Sequence, residues 1–426
     1  MAGSARRAVF TGVGVITPVG SDPATYWASL CAGRSGVRRL TFADPSQLPC
    51  QIGAEVLDFN PKKILFNKDH LRGLKLMART VQMGLCAAHL AFKDAGLEVG
   101  KIDPERAGVE FGAGMIASEL DDIGKAAQIS LATPTGPVDV GTWGQKGMKE
   151  VPPLWMLKYL PNMPSCHASI TLDLRGPSNT ITGSDAASLL ALSEAYHIIQ
   201  RDAADLFVVG GAESKMNPLS QTRHNLFQDL TRQTADPETA VKPFDRDRAG
   251  TVLGEAGACV ILEDLAHAQA RGARIDGELV GFASGLDRAR DGKGMAVVIR
   301  RALTYAGVTA ADVDHVNAQG HGTPRGDRWE AKAITEVFGP ETPVWAIKAN
   351  VGASGAASSL VELVGSILAL KYGQLPPTLN HANPDPECPV HVHTKGLRPV
   401  TKPYAVKISF TDAGQTAVAV IRKWEG

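Results

Sequence analysis

Short apolar, β-rich runs alternate along this chain with longer segments of helical periodicity. "AVFTGVGVI" (8–16), "GVEFGAGM" (108–115) and "DLFVVGGAES" (205–214) read as strands. The last is nearly all apolar, as a strand covered on both faces would be. "LKLMARTVQMGLCAAHLAFKDAG" (74–96) spaces its apolar residues as a helix does and closes on Gly96, a C-terminal cap. Further on the pattern gives a strand at 258–264, a helix, and strands at 275–285, 313–320, 343–350, 404–410 and 416–424. Strands separated by helices predict βαβ units and mostly parallel sheets. "GSDAASLLALSEAYHII" and "GASGAASSLVELVGSILAL" echo each other, each a Gly-containing loop leading into an apolar helix, which predicts a duplicated α/β fold. The stretch 129–155 is loop-rich and predicts a cap or an interface excursion.

Residues 186–201 carry apolar side chains at 189, 190, 192, 196, 198 and 199 and contain no breaker, so they predict a buried helix with Asp185 at its head. Free backbone N–H groups and the helix macrodipole favour negative charge there. A thiolate at this point would be stabilised and made nucleophilic, whereas a carboxylate is a good N-cap. Asp185 therefore has two readings, a cap or a general base or charged ligand. Cys166 and His167 adjoin in "MPSCHAS"; read as a strand, their side chains point to opposite faces and form no pair. In "KDHLRGLKLMAR", Lys68, Arg72, Lys75 and Arg79 fall on one helical face, either solvated and paired with acids or available to an acidic partner.

The chain has 426 residues, more than one core supports, so two domains or two packed halves are expected. Hydrophobic residues make up 44 % and charged residues 21 %, and Lys+Arg and Asp+Glu both total 44. That balance gives no sign of nucleic acid or a membrane surface as partner. The six cysteines have no CxxC pairing, which argues against a zinc site or disulfide framework and for a reducing compartment. No apolar run approaches the ~18 residues of a membrane helix, and the N-terminus enters a strand without a signal-peptide pattern. A cytoplasmic protein is expected.

Several stretches then carry a resemblance. "VFTGVGVITPVG" resembles the opening strand of the β-ketoacyl-acyl carrier protein synthases, the condensing enzymes of thiolase-like fold. "GPSNTITGSDAAS" resembles their nucleophile elbow, GPS-x-x-x-x-T-A-C-x-S/T-G, and "PFDRDRAGTVLGEAGACVILEDLAHAQARGARI" a long signature. "VNAQGHGTPRGDRWEA" and "IKANVGASGAA" resemble VNAHGTSTPxGDxxEA and KSxxGHxxGAA. The resemblance implies an α/β, thiolase-like fold, with duplicated α/β halves (1–257 and 258–426) whose mixed sheets are sandwiched between helices, dimerising through central strands.

Carried over position by position, the resemblance implies that the catalytic Cys-His-His set is replaced: Cys by Asp185, the first His by Gln319, the second by Ala353. Lys348 is kept, as are the acidic positions Asp327, Glu330 and Glu362. The late Gly-rich loop reads "TDAGQT" after Phe410, placing Asp412 where the family has its gating Phe. Asp185 cannot form a thioester, and a mixed anhydride would be more reactive than the thioester attacked. Gln319 retains one neutral donor, and Ala353 only its backbone. His321, two residues beyond Gln319, faces the same side if the segment is extended and supplies a shifted imidazole; otherwise it is a loop histidine bonded to backbone. Lys348 and the helix N-terminus are the expected partners of the Asp185 carboxylate.

Other features imply what role survives. No cofactor is expected, only the phosphopantetheine arm of an acyl carrier protein, with Thr323 against the arm and Lys68, Arg72, Lys75 and Arg79 as the docking patch. "VPPLWMLKYLPNM" (151–163) resembles the dimer segment, with Trp155 as the tip entering the partner's acyl pocket or as a plain interface aromatic. These features resemble the chain-length factor, the ketosynthase-like partner of an active ketosynthase, although that protein typically carries Gln where this chain has Asp185. The expected function is a non-condensing subunit in fatty acid or polyketide assembly, in a homodimer or in a heterodimer with an active ketosynthase. The alternatives are an acyltransferase or thioester hydrolase using Asp185 and His321, and an acyl or carrier-protein binding module.

Overall fold

The structure, a computed structural model, describes residues 6–65 and 68–426, the side chains of 68–70 excepted. Ten strands carry the fold: β1 (Ala8–Ile16), β2 (Ala107–Ala113), β3 (Ser178–Ile181), β4 (Leu206–Ser214), β5 (Glu255–Asp264), β6 (Gly277–Leu286), β7 (Val313–Asn317), β8 (Pro343–Trp345), β9 (Tyr404–Phe410) and β10 (Gln415–Arg422). The first five lie in the order β3-β2-β4-β5-β1 and the second five in the order β8-β7-β9-β10-β6, the same pattern repeated. In each set the outer pairs are parallel and the inner ones antiparallel, so the sheets are mixed. The halves join where β1 and β6 pair over a short antiparallel register, Ala8↔Leu279 to Phe10↔Gly277.

Five helices complete the layers: α1 (Arg79–Asp94), α2 (Ala187–Gln200), α3 (Lys293–Ala306), α4 (Pro324–Phe338) and α5 (Ser358–Tyr372). α1 covers the outer face of the first sheet, α3 that of the second, and α4 packs on α3. α2 and α5 lie together between the sheets, where Ser188 Oγ meets Ser359 Oγ at 2.8 Å. This is the duplicated α/β architecture expected of the sequence.

Four expectations change. The division at 257/258 falls inside β5, which runs unbroken; the halves part in the segment between β5 and β6. Residues 343–350 are strand only to Trp345 and then turn into a short helix, Lys348–Val351. Cys166 and His167 lie in a helix, Met163–Leu172, not a strand. Finally, Gly355–Tyr372 is long and apolar enough to cross a membrane, with a mean hydropathy of 1.2, contrary to the expectation from the sequence. It is 89 % buried because it is the central core helix, walled by both sheets and α2.

β1 is buried at all nine positions because α1 presses on one face. The approach is close enough to require glycine: a Cβ at Gly14 would lie 2.2 Å from the Ala87 carbonyl oxygen, and one at Gly12 2.5 Å from that of Ala91. Gly14→Ala must push α1 off the sheet, and is expected to cost about 1–3 kcal/mol, read as a lowered urea midpoint.

Candidate active site

The chain turns sharply into α2. Ser184 has φ +48°, in the left-handed region, and Ser184–Ala186 form a 3-10 turn. This strain presents Asp185, 8 % exposed, to a cavity of about 210 Å³. Asp185 is not an N-cap: its carboxylate accepts no backbone hydrogen bond at the helix start, because the 3-10 turn already supplies the first turn. Oδ2 accepts from Ser184 Oγ at 3.2 Å, and its main-chain oxygen accepts from Ser409 Oγ at 2.8 Å. Burial alone would push the Asp185 carboxyl up; His321, Lys215 and Lys348 outweigh it and hold the group well below the usual carboxylate range.

Lys348 does not contact Asp185 as expected. It pairs with Glu362, whose other oxygen meets Lys407 Nζ at 2.5 Å, and all three side chains are buried. Lys348 therefore acts on Asp185 through space only.

His321 is not bonded to backbone. Its ring lines the cavity, with Nε2 3.6 Å from Asp185 Oδ1 and 2.9 Å from Gln319 Nε2. The orientation of the Gln319 amide is dictated by its surroundings. Oε1 accepts from Phe410 N at 2.7 Å, with the Ser409 hydroxyl that it shares with the Asp185 carbonyl 2.9 Å away, and Nε2 donates to the Phe410 carbonyl at 2.9 Å. Its remaining N–H points at His321 Nε2, which accepts it, while Asp185 Oδ1 lies beyond hydrogen-bond reach of that nitrogen. Both Gln319 donors are thus engaged, and the free donor expected there is absent. Phe410 contributes its backbone to this lock, and its ring centroid stands 6.3 Å from that of His321.

The acidic residues hold the loop rather than the ligand. Glu330 accepts from the Gln319 and Gly320 N–H groups at 2.6 and 2.9 Å, and Asp327 from those of Gly322 and Phe244 at 3.1 and 2.8 Å. Burial pushes Glu330 up to about 7 and Asp327 up to about 6, against those hydrogen bonds. Ala353 lines the cavity and is bonded through its backbone to Val252 and Gly254. Thr323 caps α4, its hydroxyl accepting from Gly326 N at 3.3 Å, and also lines the cavity. Asp412 lines it too, exposed, its main-chain oxygen facing Arg290.

Two expected groups are dispersed. Lys68 lies outside the described side chains. The remaining basic residues do not share a helix, since Lys68–Gly73, a 3-10 turn at Leu74–Leu76 and α1 are separate elements. Arg72 and Lys75 are exposed, but Arg79 is held by Glu255 at 2.7 Å and by the Val56 carbonyl, a structural ion pair. Trp155 turns inward against its own subunit's core, 6.0 Å from Tyr159, and leaves Leu154, Met156 and Leu157 exposed.

Lys215 and Glu213 were not foreseen. Glu213 lies near the end of β4 and Lys215 directly follows it, in a stretch whose sequence pattern gives only a strand, and Lys215 lines both the small cavity and a neighbouring one of about 840 Å³. None of the six cysteines lines either cavity, and burial pushes the Cys86 and Cys388 thiols up to about 12.

Residues 5–268 match the sequence profile of the beta-ketoacyl synthase N-terminal domain and residues 273–382 that of the C-terminal domain. The chain belongs to the beta-ketoacyl synthase family. Among its relatives is 3-oxoacyl-[acyl-carrier-protein] synthase 2 of Coxiella burnetii, 31 % identical over 427 residues, 98 % of this chain and 99 % of that one. A putative polyketide beta-ketoacyl synthase 1 of Streptomyces halstedii is 35 % identical over 397 residues, 90 % of each chain. A solved structure described as the ishigamide ketosynthase/chain length factor superposes at TM-score 0.86 with 29 % identity, covering 99 % of this chain and 100 % of that one. The thiolase-like ketosynthase fold follows.

Glu330 gives a pH test. An ordinary glutamate loses its proton near 4.5, whereas Glu330 in the fold loses it at about 7. Between these values the native state holds a proton that the unfolded chain has released, so stability falls as pH rises through the window. The slope is up to about 1.4 kcal/mol per pH unit from this group. Asp327 adds in the same direction at slightly lower pH. Glu330→Gln removes the Glu330 part, which urea unfolding of both proteins across the window checks.

Proposed function

We propose that this chain is a non-condensing ketosynthase-family subunit, similar in role to a chain-length factor, that accommodates an acyl chain delivered by a carrier protein. The observation that carries this reading is the carboxylate of Asp185 at the head of α2, in a cavity with no thiol. Condensation requires a sulfur to hold the acyl group, and loss of the covalent nucleophile in an enzyme of this kind costs about 10³–10⁶ in rate. Gln319 and Ala353, at the positions where the family has histidines, add no free side-chain donor, and loss of an oxyanion donor costs about 10²–10³.

What remains suits binding. The small cavity carries Thr323 and Thr251 on its wall and Arg290 and Arg325 among its lining, a match for the amides and phosphate of a phosphopantetheine arm. The larger cavity adjoins it through Lys215 and Phe227 and has room for a chain. The edge strand β3 and the exposed Leu154, Met156, Leu157 and Ile170 offer a surface for a second subunit, either another copy or an active ketosynthase.

The contact of His321 with Asp185 favours a second reading, thioester hydrolysis. It is the weaker one, since a carboxylate held deep in its ionised range is a poor general base.

Incubation with acyl- and malonyl-carrier protein, followed by intact-mass analysis, tests both. The expected result is no acyl adduct on the chain and no loss of acyl or carboxyl groups from the carrier. Asp185→Cys places a thiol at the same helix terminus and is expected to gain one acyl mass. An acyl adduct on the unaltered chain overturns the proposal. Hydrolysis lost in Asp185→Asn establishes the second reading.

A further inference from the structure

Lys215 follows β4 directly, and its side chain is 6 % exposed. Among the described residues, the one carboxylate oxygen within 4 Å of Nζ is Glu213 Oε1, at 3.9 Å, too far for a hydrogen bond. Glu213 is not free to close that gap. Its Oε2 accepts from Ala356 N at 2.7 Å, and the backbone at Gly114 and Gly355 walls in the carboxyl, so that a Cβ at Gly355 would come within 2.1 Å of Oε2. Burial also pushes the Glu213 carboxyl up, against the pull of Lys215, which weakens it as a counter-charge.

An ammonium carries three donors, and leaving them unmatched in a buried place is costly. Lys215 lines both cavities, so a chain running from the head of α2 into the larger cavity passes it at its thioester end. The neighbouring charges decide what that chain carries. A carboxylate at Lys215 would also approach Asp185 and Glu213, whereas a neutral oxygen accepts from Nζ without that repulsion.

We propose that Lys215 selects acyl chains bearing a neutral oxygen, a ketone or an alcohol, close to the thioester, over unsubstituted chains. This rests on the reading of the two cavities as acyl-arm sites given above.

The test uses non-hydrolysable pantetheine amides titrated calorimetrically into the full chain: hexanoyl, 3-oxohexanoyl, 3-hydroxyhexanoyl and malonyl. The 3-oxo and 3-hydroxy ligands are expected to bind about 10-fold tighter than the hexanoyl ligand, the worth of one hydrogen bond to a charged donor. Lys215→Met is expected to bring the ratio to about 1, and Lys215→Gln to keep part of the preference. Equal affinities in the unaltered protein, a preference that survives in Lys215→Met, or no binding of any ligand overturns the proposal. Tighter binding of the malonyl ligand than of the 3-oxo ligand overturns the choice of a neutral oxygen. The ratio in the unaltered protein needs no variant, so a misfolded variant does not blunt it. Because these ligands need neither a thioester nor a carrier protein, the ratio stands or falls independently of the acylation result.

Discussion

Glu362 lies between two buried lysines, and the geometry of the site depends on that arrangement. Its carboxylate projects from the central helix α5 and meets Lys348 from the turn after β8 and Lys407 from the middle of β9. One side chain thus ties the helix between the sheets to two neighbouring elements of the second sheet. Two positive charges and one negative charge lie out of water here, and burial pulls the Lys407 amine down. Removing the carboxylate would strand two ammonium groups, the case in which a buried ion pair matters most. Lys407 also reaches the Asn317 carbonyl at 3.4 Å, two residues before Gln319, so the triad fixes the base of the loop that carries the site.

That loop is then held from the other side by acids on α4. Glu330 takes the Gln319 and Gly320 N–H groups, and Asp327 the Gly322 N–H, so consecutive turns of the loop are bonded to one helix. The backbone is overdetermined even though its side chains differ from the family pattern. This explains how Gln319 and His321 occupy defined places: their positions are set by neighbours that the sequence keeps, and their side chains fill what room is left.

Much of the fold was legible because its signals are local and periodic. β1 and β9 lie where their apolar runs place them, and Gly96, at φ +67°, closes the end of α1 as expected. Asp185 and Ala353 line one cavity and Gln319 lies buried against His321; the resemblance implied that all three stand at catalytic positions. The misreadings have physical causes. Periodicity cannot show that Leu74–Leu76 breaks a helix, nor that Arg79 finds Glu255 from a distant strand. An amphipathic residue such as Trp155 can face in or out, and only packing decides. Lys215 was missed because a single lysine after a strand carries no pattern; its character comes from burial between two cavities.

The same field acts differently on a thiol and on the carboxylate that Asp185 brings to this position. A helix N-terminus with Lys348 and Lys215 nearby stabilises a negative charge, whichever atom bears it. For a thiol, that stabilisation is activation, because the thiolate is the nucleophile and remains reactive when its pKa falls. For a carboxylate already ionised at neutral pH, further stabilisation only withdraws electron density from any attack and weakens it as a base. A field that activates a thiol therefore lowers the reactivity of a carboxylate. Asp185 sits beside the strained Ser184 with an Oδ1 that accepts no hydrogen bond among the described residues, and His321, Lys215 and Lys348 offset its charge instead.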